Sequence, residues 1–321
     1  MPSGNMTLLD LMVLQRNDTI TGLVEDVTTS APEFDTFAAV PRKGTFYEVV
    51  RRIAFPTVGF RKINSGTVPG KSAYKKEVKE MFYLDALINM DEAIEEGDDA
   101  SVGSAWMNEA SGVFRQALIT IGAQVYYGTS ADANGFSGLR AQIAGQIGAG
   151  GTTNSTTAYL VWMDREQGVR FDVGRGGAFT LRPPMRQQVA DPNDSTKSYF
   201  AWVSNLSSYL GFNVISDKSV WGVSGITSHQ TNSVYDQAMT DSVAGKLISN
   251  IPVMRRDNLR WFMNRTAYGV LQQTRTTINL ASGYSLQPAD AAGRPAWSPR
   301  PTTCEGYPIT LTDSLTNTES N

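Results

Sequence analysis

Apolar residues recur at spacings of three and four across residues 101–127, where Val102, Trp106, Ala110, Val113, Ala117, Ile121 and Val125 form one stripe. Ser104, Asn108, Glu109, Arg115 and Gln116 fall elsewhere on the same wheel, so the pattern predicts an amphipathic helix. Gly128 follows as a stop, and Asp98 and Asp99 precede it, where carboxylates suit the positive end of the helix dipole. At ~1.5 Å per residue this helix is about 40 Å long, which is the dimension of a spar.

Upstream the period changes. Residues 45–58 (TFYEVVRRIAFPTV) are β-branched and aromatic and predict an extended strand. Residues 61–72 hold Asn64, Gly66, Pro69 and Gly70, which is loop chemistry too long for a tight hairpin. Residues 73–90 return, the middle as strand. The span 45–90 therefore predicts a long two-stranded excursion with a glycine-rich tip. A lone ribbon of this kind is marginal in water and needs a surface to lie on. Before it, residues 6–27 begin as a short helix through Leu8, Leu9, Met12 and Val13 and read as an arm.

Downstream the sequence is rich in strands. AYLVWMD (158–164), VRFDV (169–173), AFTLR (178–182), YFAWVSNL (199–206) and FNVISD (212–217) are separated by Gly, Pro, Asp and Asn turns. Residues 144–157 have little side-chain volume and predict a mobile loop. A helix is predicted over 234–250, a short buried strand at 259–264, and a second helix over 265–279, begun after Asn264. Residues 281–301 wander through four prolines, and 306–315 (GYPITLTDSL) close the chain as a strand.

Composition matters here by what it excludes. The 321 residues contain one Cys, Cys304, and one His, His229. That forbids an intrachain disulfide, multi-Cys zinc or iron–sulfur sites and multi-His metal centres. It also leaves a single candidate His base. No apolar run approaches the roughly 18 residues of a membrane span, and the N-terminus lacks the basic-then-apolar pattern of a signal peptide. A reducing, cytoplasmic site of synthesis is expected. No phosphate loop occurs. Gly174, Gly176 and Gly177 miss the dinucleotide-binding spacing and predict a turn. Asp191–Asp194 lacks the rest of a calcium loop. His229 lies in a Ser/Thr/Asn-rich turn with no nucleophile elbow elsewhere, and Cys304 is expected to be a buried, inert thiol. No cofactor is implied, and catalysis is not expected.

The formal net charge of -3 hides a polarised first third. Ten of the 28 basic residues lie between Arg42 and Glu80, opposed only by Glu48, Glu77 and Glu80. No further basic residue occurs before Arg115, and that gap holds eight carboxylates. Such blocks attract each other, within one chain or between copies, or form a solvated face. Arg61, Lys62, Lys71, Lys75 and Lys76 on the ribbon, and Asp91, Glu92, Glu95 and Glu96 beyond it, are the candidate inter-subunit contacts. A nucleic-acid site is disfavoured, because the segment lacks stacking aromatics and the chain is acidic overall.

The order of arm, basic ribbon, acidic turn, spar helix, mixed body and final strand resembles the major capsid proteins of tailed bacteriophages. LRWFMNRTAYGVLQQ (259–273) is similar to the strand–Asn–helix step of that family, and GYPITLTDSL (306–315) to its returning Gly-x-Pro strand. The resemblance implies an α+β Hong Kong 97-like capsid fold. Its parts would be an N-terminal arm (1–44), an extended β-loop (45–90) and a peripheral domain with a spine helix (91–134). An axial domain (135–300) with a β-rich insertion (158–228), then a return strand and tail (301–321), would complete it. It also implies a non-enzymatic shell protein, with itself as main partner in homo-hexamers and pentamers of an icosahedral head. That head encloses double-stranded DNA without sequence-specific binding. A separate scaffolding protein, a portal and possible decoration proteins are further expected partners; no membrane is. Some relatives join a loop Lys to a neighbour's Asn; here plain electrostatic contact is preferred. An encapsulin-like nanocompartment shell and a β-rich receptor- or glycan-binding virion protein stand as alternatives.

Overall fold

Among the described residues two six-stranded sheets share one apolar core, and a two-stranded ribbon projects from them. The computed structural model describes residues 27–96, 104–174, 179–191, 196–227, 237–281 and 300–319. The short helix expected within 6–27, Asp98, Asp99, His229 and most of the proline-rich 281–301 lie outside the described residues.

The chain enters through α1 (Glu33–Thr36) and β1 (Ala39–Arg42), runs out along β2 (Phe46–Ala54) and returns along β3 (Ala73–Glu80). It then passes into β4 (Phe82–Asp91), α2 (Glu92–Glu96) and the long helix α3 (Ser104–Tyr127). Six strands follow: β5 (Gly145–Gly148), β6 (Thr156–Trp162), β7 (Val169–Gly174), β8 (Thr180–Leu181), β9 (Met185–Ala190) and β10 (Ser198–Val214). β11 (Val220–Ile226), α4 (Asp241–Ser249), β12 (Leu259–Met263), α5 (Arg265–Ala281), β13 (Thr303–Cys304) and β14 (Tyr307–Leu311) complete it. The first sheet runs β1-β7-β10-β4, with β8 and β9 also pairing with β10. The second runs β13-β14-β12-β6-β11-β5.

The apolar runs at β6 and β11 have no polar alternation because both of their faces are buried. Tyr159 and Val161 meet Phe171 and Phe212 of the first sheet in the shared core. Leu160, Trp221 and Trp261 point the other way, against Ala244 and Leu247 of α4 and Ala267 and Leu271 of α5. Asn264 caps α5 as its position before the helix suggests: its Oδ1 accepts from the Ala267 amide at 2.9 Å.

Val102 lies outside the described residues; the rest of the stripe is the face that α3 buries. Trp106 and Ala110 pack on Ile88 and Met90 of β4, and Ile121 and Val125 enter the shared core. Its 24 residues make a rod of about 36 Å. Gly128 ends it at φ 57°, and a Cβ there would lie 2.2 Å from the Gly138 nitrogen, so a side chain is excluded on both counts.

Four expectations change. The return limb read over 73–90 is two strands: β3 stays in the ribbon, but from Phe82 the chain pairs with β10, where Ile88 and Met90 find a core. Residues 199–206 and 212–217 belong mostly to one 17-residue strand, β10. Gly211 does not turn the chain; it lets the Glu80 carbonyl approach, 2.8 Å from where a Cβ would stand. Residues 144–157 include β5, which pairs in parallel with Trp221–Ser224; Gly145 has no side chain to hold it off the Trp221 ring. The helix read from 234 begins at Asp241, where Thr240 caps it by accepting from the Val243 amide.

Candidate functional site

The β2–β3 ribbon sorts its residues by face. Cross-strand partners Tyr47/Lys79, Val49/Glu77 and Arg51/Lys75 share the face turned toward the body. Phe46/Glu80, Glu48/Val78, Val50/Lys76 and Arg52/Tyr74 share the outer one. On that outer face Phe46, Val50, Tyr74 and Val78 are all more than half exposed. Beyond the strands, Phe55, Val58, Phe60, Ile63 and Val68 are exposed almost completely. A soluble chain rarely leaves so much contiguous apolar surface open unless another surface covers it.

The inner face touches the body from the root as far as Arg51, and it is held there by charge. Asp172 of β7 is wholly buried. It takes hydrogen bonds from the Tyr47 hydroxyl, from Arg42 Nε at 3.0 Å and from Asn213 Nδ2 at 2.8 Å, and Arg170 Nε lies 3.2 Å away. Burial, then the Asp172 carboxylate, pushes the Tyr47 hydroxyl up to about 12, so it remains a donor. Further out, Arg51 bridges Asp217 of the body, at 2.5 Å, to Glu77 of the ribbon. Hydrogen bonding from Lys75, with the charges of Arg51 and Lys79, holds the Glu77 carboxyl down at about 2.

The candidate contact residues divide accordingly. Arg61, Lys62 and Lys71 are exposed near the tip, where Arg61 donates to the Ser65 carbonyl at 2.8 Å. Lys75 and Lys76 pair within the ribbon, with Glu77 at 2.8 Å and Glu48 at 2.6 Å. Asp91 accepts from the Ala93 amide, Glu92 pairs with Arg186 at 2.8 Å, and Glu95 and Glu96 end α2. Among the described residues no ion pair joins the ribbon to the 91–96 segment. Sequence reasoning missed Tyr47, Asp172 and Asn213; the signal was Arg170 and Asp172 alternating with apolar Val169, Phe171 and Val173.

A second buried carboxyl ties the chain ends to α3. Glu33 is 1% exposed and accepts from the Thr312 hydroxyl and from Ser314 Oγ at 3.3 Å. Gly122 of α3 leaves it room, since a Cβ there would lie 3.0 Å from Glu33 Oε2. Burial raises its pKa above the ordinary 4.5. Its stabilising effect is therefore full below 4.5 and is lost as pH rises through the higher folded value. Urea titrations across pH 5–8 should show Glu33→Gln losing less stability with rising pH than the parent chain. Parallel losses in the two would show that Glu33 does not titrate there.

Cys304 is buried, and burial, then the Asp241 carboxylate, pushes its thiol up, away from nucleophilic character. Among the described residues no group of three or more His, Cys, Asp or Glu is placed to hold a metal, and no helix is long and apolar enough to cross a membrane.

A family profile described as major capsid protein GP7 matches residues 19–321. No curated protein matches. Among solved structures, the chain is similar to that of bacteriophage Epsilon15, with a TM-score of 0.68 at 16% identity, covering 100% of this chain and 98% of that one. The bacteriophage JBD30 capsid gives 0.49 at 11% identity, covering 95% and 98%. The SrpI encapsulin of Synechococcus elongatus gives 0.46 at 8% identity, covering 72% and 99%.

Proposed function

The chain belongs to the major capsid protein GP7 family and builds the shell of a tailed bacteriophage head, and from that premise we propose how its copies hold together. Each ribbon lies on an adjacent copy, and rings of five and six subunits tile an icosahedral shell. The supporting observation is the ribbon itself: held by its own body only as far as Arg51, and apolar and basic along an outer face and tip that stand exposed. Contacts that are weak singly suffice, because symmetry repeats them. The shell encloses double-stranded DNA without reading its sequence, assembles in the host cytoplasm with a separate scaffolding protein and a portal, and performs no catalysis. Decoration proteins are further candidate partners.

The basic shaft (Lys75 and Lys76, with Lys71 just beyond it toward the tip) meets the acidic segment Asp91–Glu96 of the neighbour. Electron microscopy of the purified chain should show closed polyhedral shells, or rings of five and six; fibres or stable monomers at high concentration would sink the shell reading. Lys75→Glu with Lys76→Glu should lower the yield of shells several-fold, and adding Glu95→Lys with Glu96→Lys should restore part of it. Absence of restoration would remove this pairing and leave the shell.

A further inference from the structure

At the foot of the ribbon, where β4 begins, a cavity of about 80 Å³ opens between β4, α3 and the 132–136 loop. Its walls are apolar, formed by Phe82, Leu84, Ile121, Phe136 and Leu210, with Gln124 and Asp132 as the polar groups of interest. Gln124 is 4% exposed, and its Nε2 donates to the carbonyls of Phe136 at 2.8 Å and Asp132 at 3.2 Å. Those two bonds fix the amide, and its Oε1 is left without a donor. Gly135 locks the arrangement, because a Cβ there would stand 2.3 Å from Gln124 Nε2. The amide therefore cannot turn, and it fixes the 132–136 loop as one wall of the cavity.

The ribbon tip has the matching chemistry. Phe60 is the most exposed large apolar residue among those described, at 110%, and Arg61 and Lys62 follow it. The tip is shaped: Asn64 sits at φ 66°, and the Ser65 amide donates to the Lys62 carbonyl at 3.1 Å. It cannot fill the cavity of its own chain. At ~3.3 Å per residue, Phe60 stands about 45 Å beyond Phe46, and Phe46 lies at the same root as Phe82.

We propose that Phe60 of one copy enters this cavity on the next, with Arg61 and Lys62 against the exposed Asp132 at its mouth. The cavity has about half the ~150 Å³ that holds a whole benzene, so it takes the leading edge of the ring. Tip into foot is a head-to-tail contact, the kind that closes rings. The lengths also agree. Lys62 is level with Ser65 across the tip turn, so Lys62 to Lys75 spans about 33 Å along the ribbon; Phe82 to Asp91 spans about 30 Å along β4, and α2 continues beyond it. A tip seated in the cavity therefore sets the shaft lysines over the neighbour's 91–96 segment. This inference rests on the ribbon crossing to an adjacent copy.

Two cysteines test it. A Cβ at Gly59 meets nothing within 4 Å, Asn134 is exposed at the cavity rim, and Cys304 is buried, so Gly59→Cys with Asn134→Cys adds the only accessible thiols in the described structure. Oxidised particles should give a denaturing-gel ladder ending at five- and six-chain closed species, and neither single variant should. Shells without that ladder would overturn the cavity assignment while leaving the ribbon's crossing intact; a parent chain that forms no shells would instead overturn the reading beneath it. Phe60→Asp should raise the concentration needed for assembly at least tenfold, whereas Val50→Asp, on the exposed outer face of β2, should raise it less than threefold. Equal effects would also overturn the assignment.

Discussion

Replacing residues 55–72 with an Asn-Gly turn is expected to leave a folded chain that builds no shells. Ala54 and Ala73 are the last paired residues of the ribbon, so the cut falls where the strands already face each other. Asn-Gly closes such a hairpin with the twist its strands prefer. The deleted segment carries Phe55, Val58, Phe60, Ile63 and Val68, none of which belongs to the three buried clusters. Removing it should change the urea midpoint by no more than an exposed substitution does, within about 0.5 kcal/mol. Solubility should rise, because five exposed large apolar residues of the ribbon are gone. Sedimentation velocity should then show a monomer at concentrations where the parent chain assembles. Shells of normal size from the shortened chain would show that the ribbon tip is dispensable. A chain that no longer folds would show that the ribbon serves its own body.

How much of this the sequence discloses depends on how local each interaction is. The α3 stripe is local, since Trp106, Ala110, Ile121 and Val125 state their own face, and the helix ends at Tyr127, where the stripe does. The ribbon was legible for the same reason, from β-branched limbs around a Gly/Pro tip. Its separation from β4 was not. Nothing in KEMFYL announces that Glu80 ends one pairing and Phe82 begins another, because the partner strand, β10, lies more than 100 residues away. The glycines misled in one direction. Gly145 and Gly211 resemble breakers on the page, yet both sit in strands, placed for the close approach of Trp221 and of the Glu80 carbonyl. The candidate contacts were legible as charge blocks alone. Part of their charge is met within the chain, as in Lys76 with Glu48 and Glu92 with Arg186, at separations that no block pattern specifies. The anchors were hidden most deeply: Tyr47 to Asp172 spans 125 residues and Glu33 to Thr312 spans 279.

Asp172→Ala is expected to destabilise the chain by about 3–5 kcal/mol, the usual result of removing one side of a buried charge pair. The side chain of Asp172 is fully enclosed and that of Arg170 is 7% exposed, so the guanidinium left behind would lose its anion without gaining water. Arg170 keeps its bonds to the carbonyls of Arg165 and Glu166, which locate it but do not neutralise it. Asn213 Nδ2 and the Tyr47 hydroxyl would lose their acceptor as well. Asp172→Asn should fall between the two, because it keeps an acceptor oxygen and loses the charge. Tyr47→Phe separates holding the fold from aiming the ribbon. It removes one hydrogen bond, worth about 1 kcal/mol, and leaves the Arg42–Asp172–Arg170 cluster in place. Its urea midpoint should therefore stay close to that of the parent chain, while light scattering should show slower assembly, because the ribbon has lost a stay at its root. A neutral Asp172→Ala would mean that water reaches the cluster and that the arginines need no counter-charge. An Asp172→Ala chain that unfolds, beside a Tyr47→Phe chain that folds normally and assembles slowly, would place fold stability in the carboxylate and ribbon direction in the phenol.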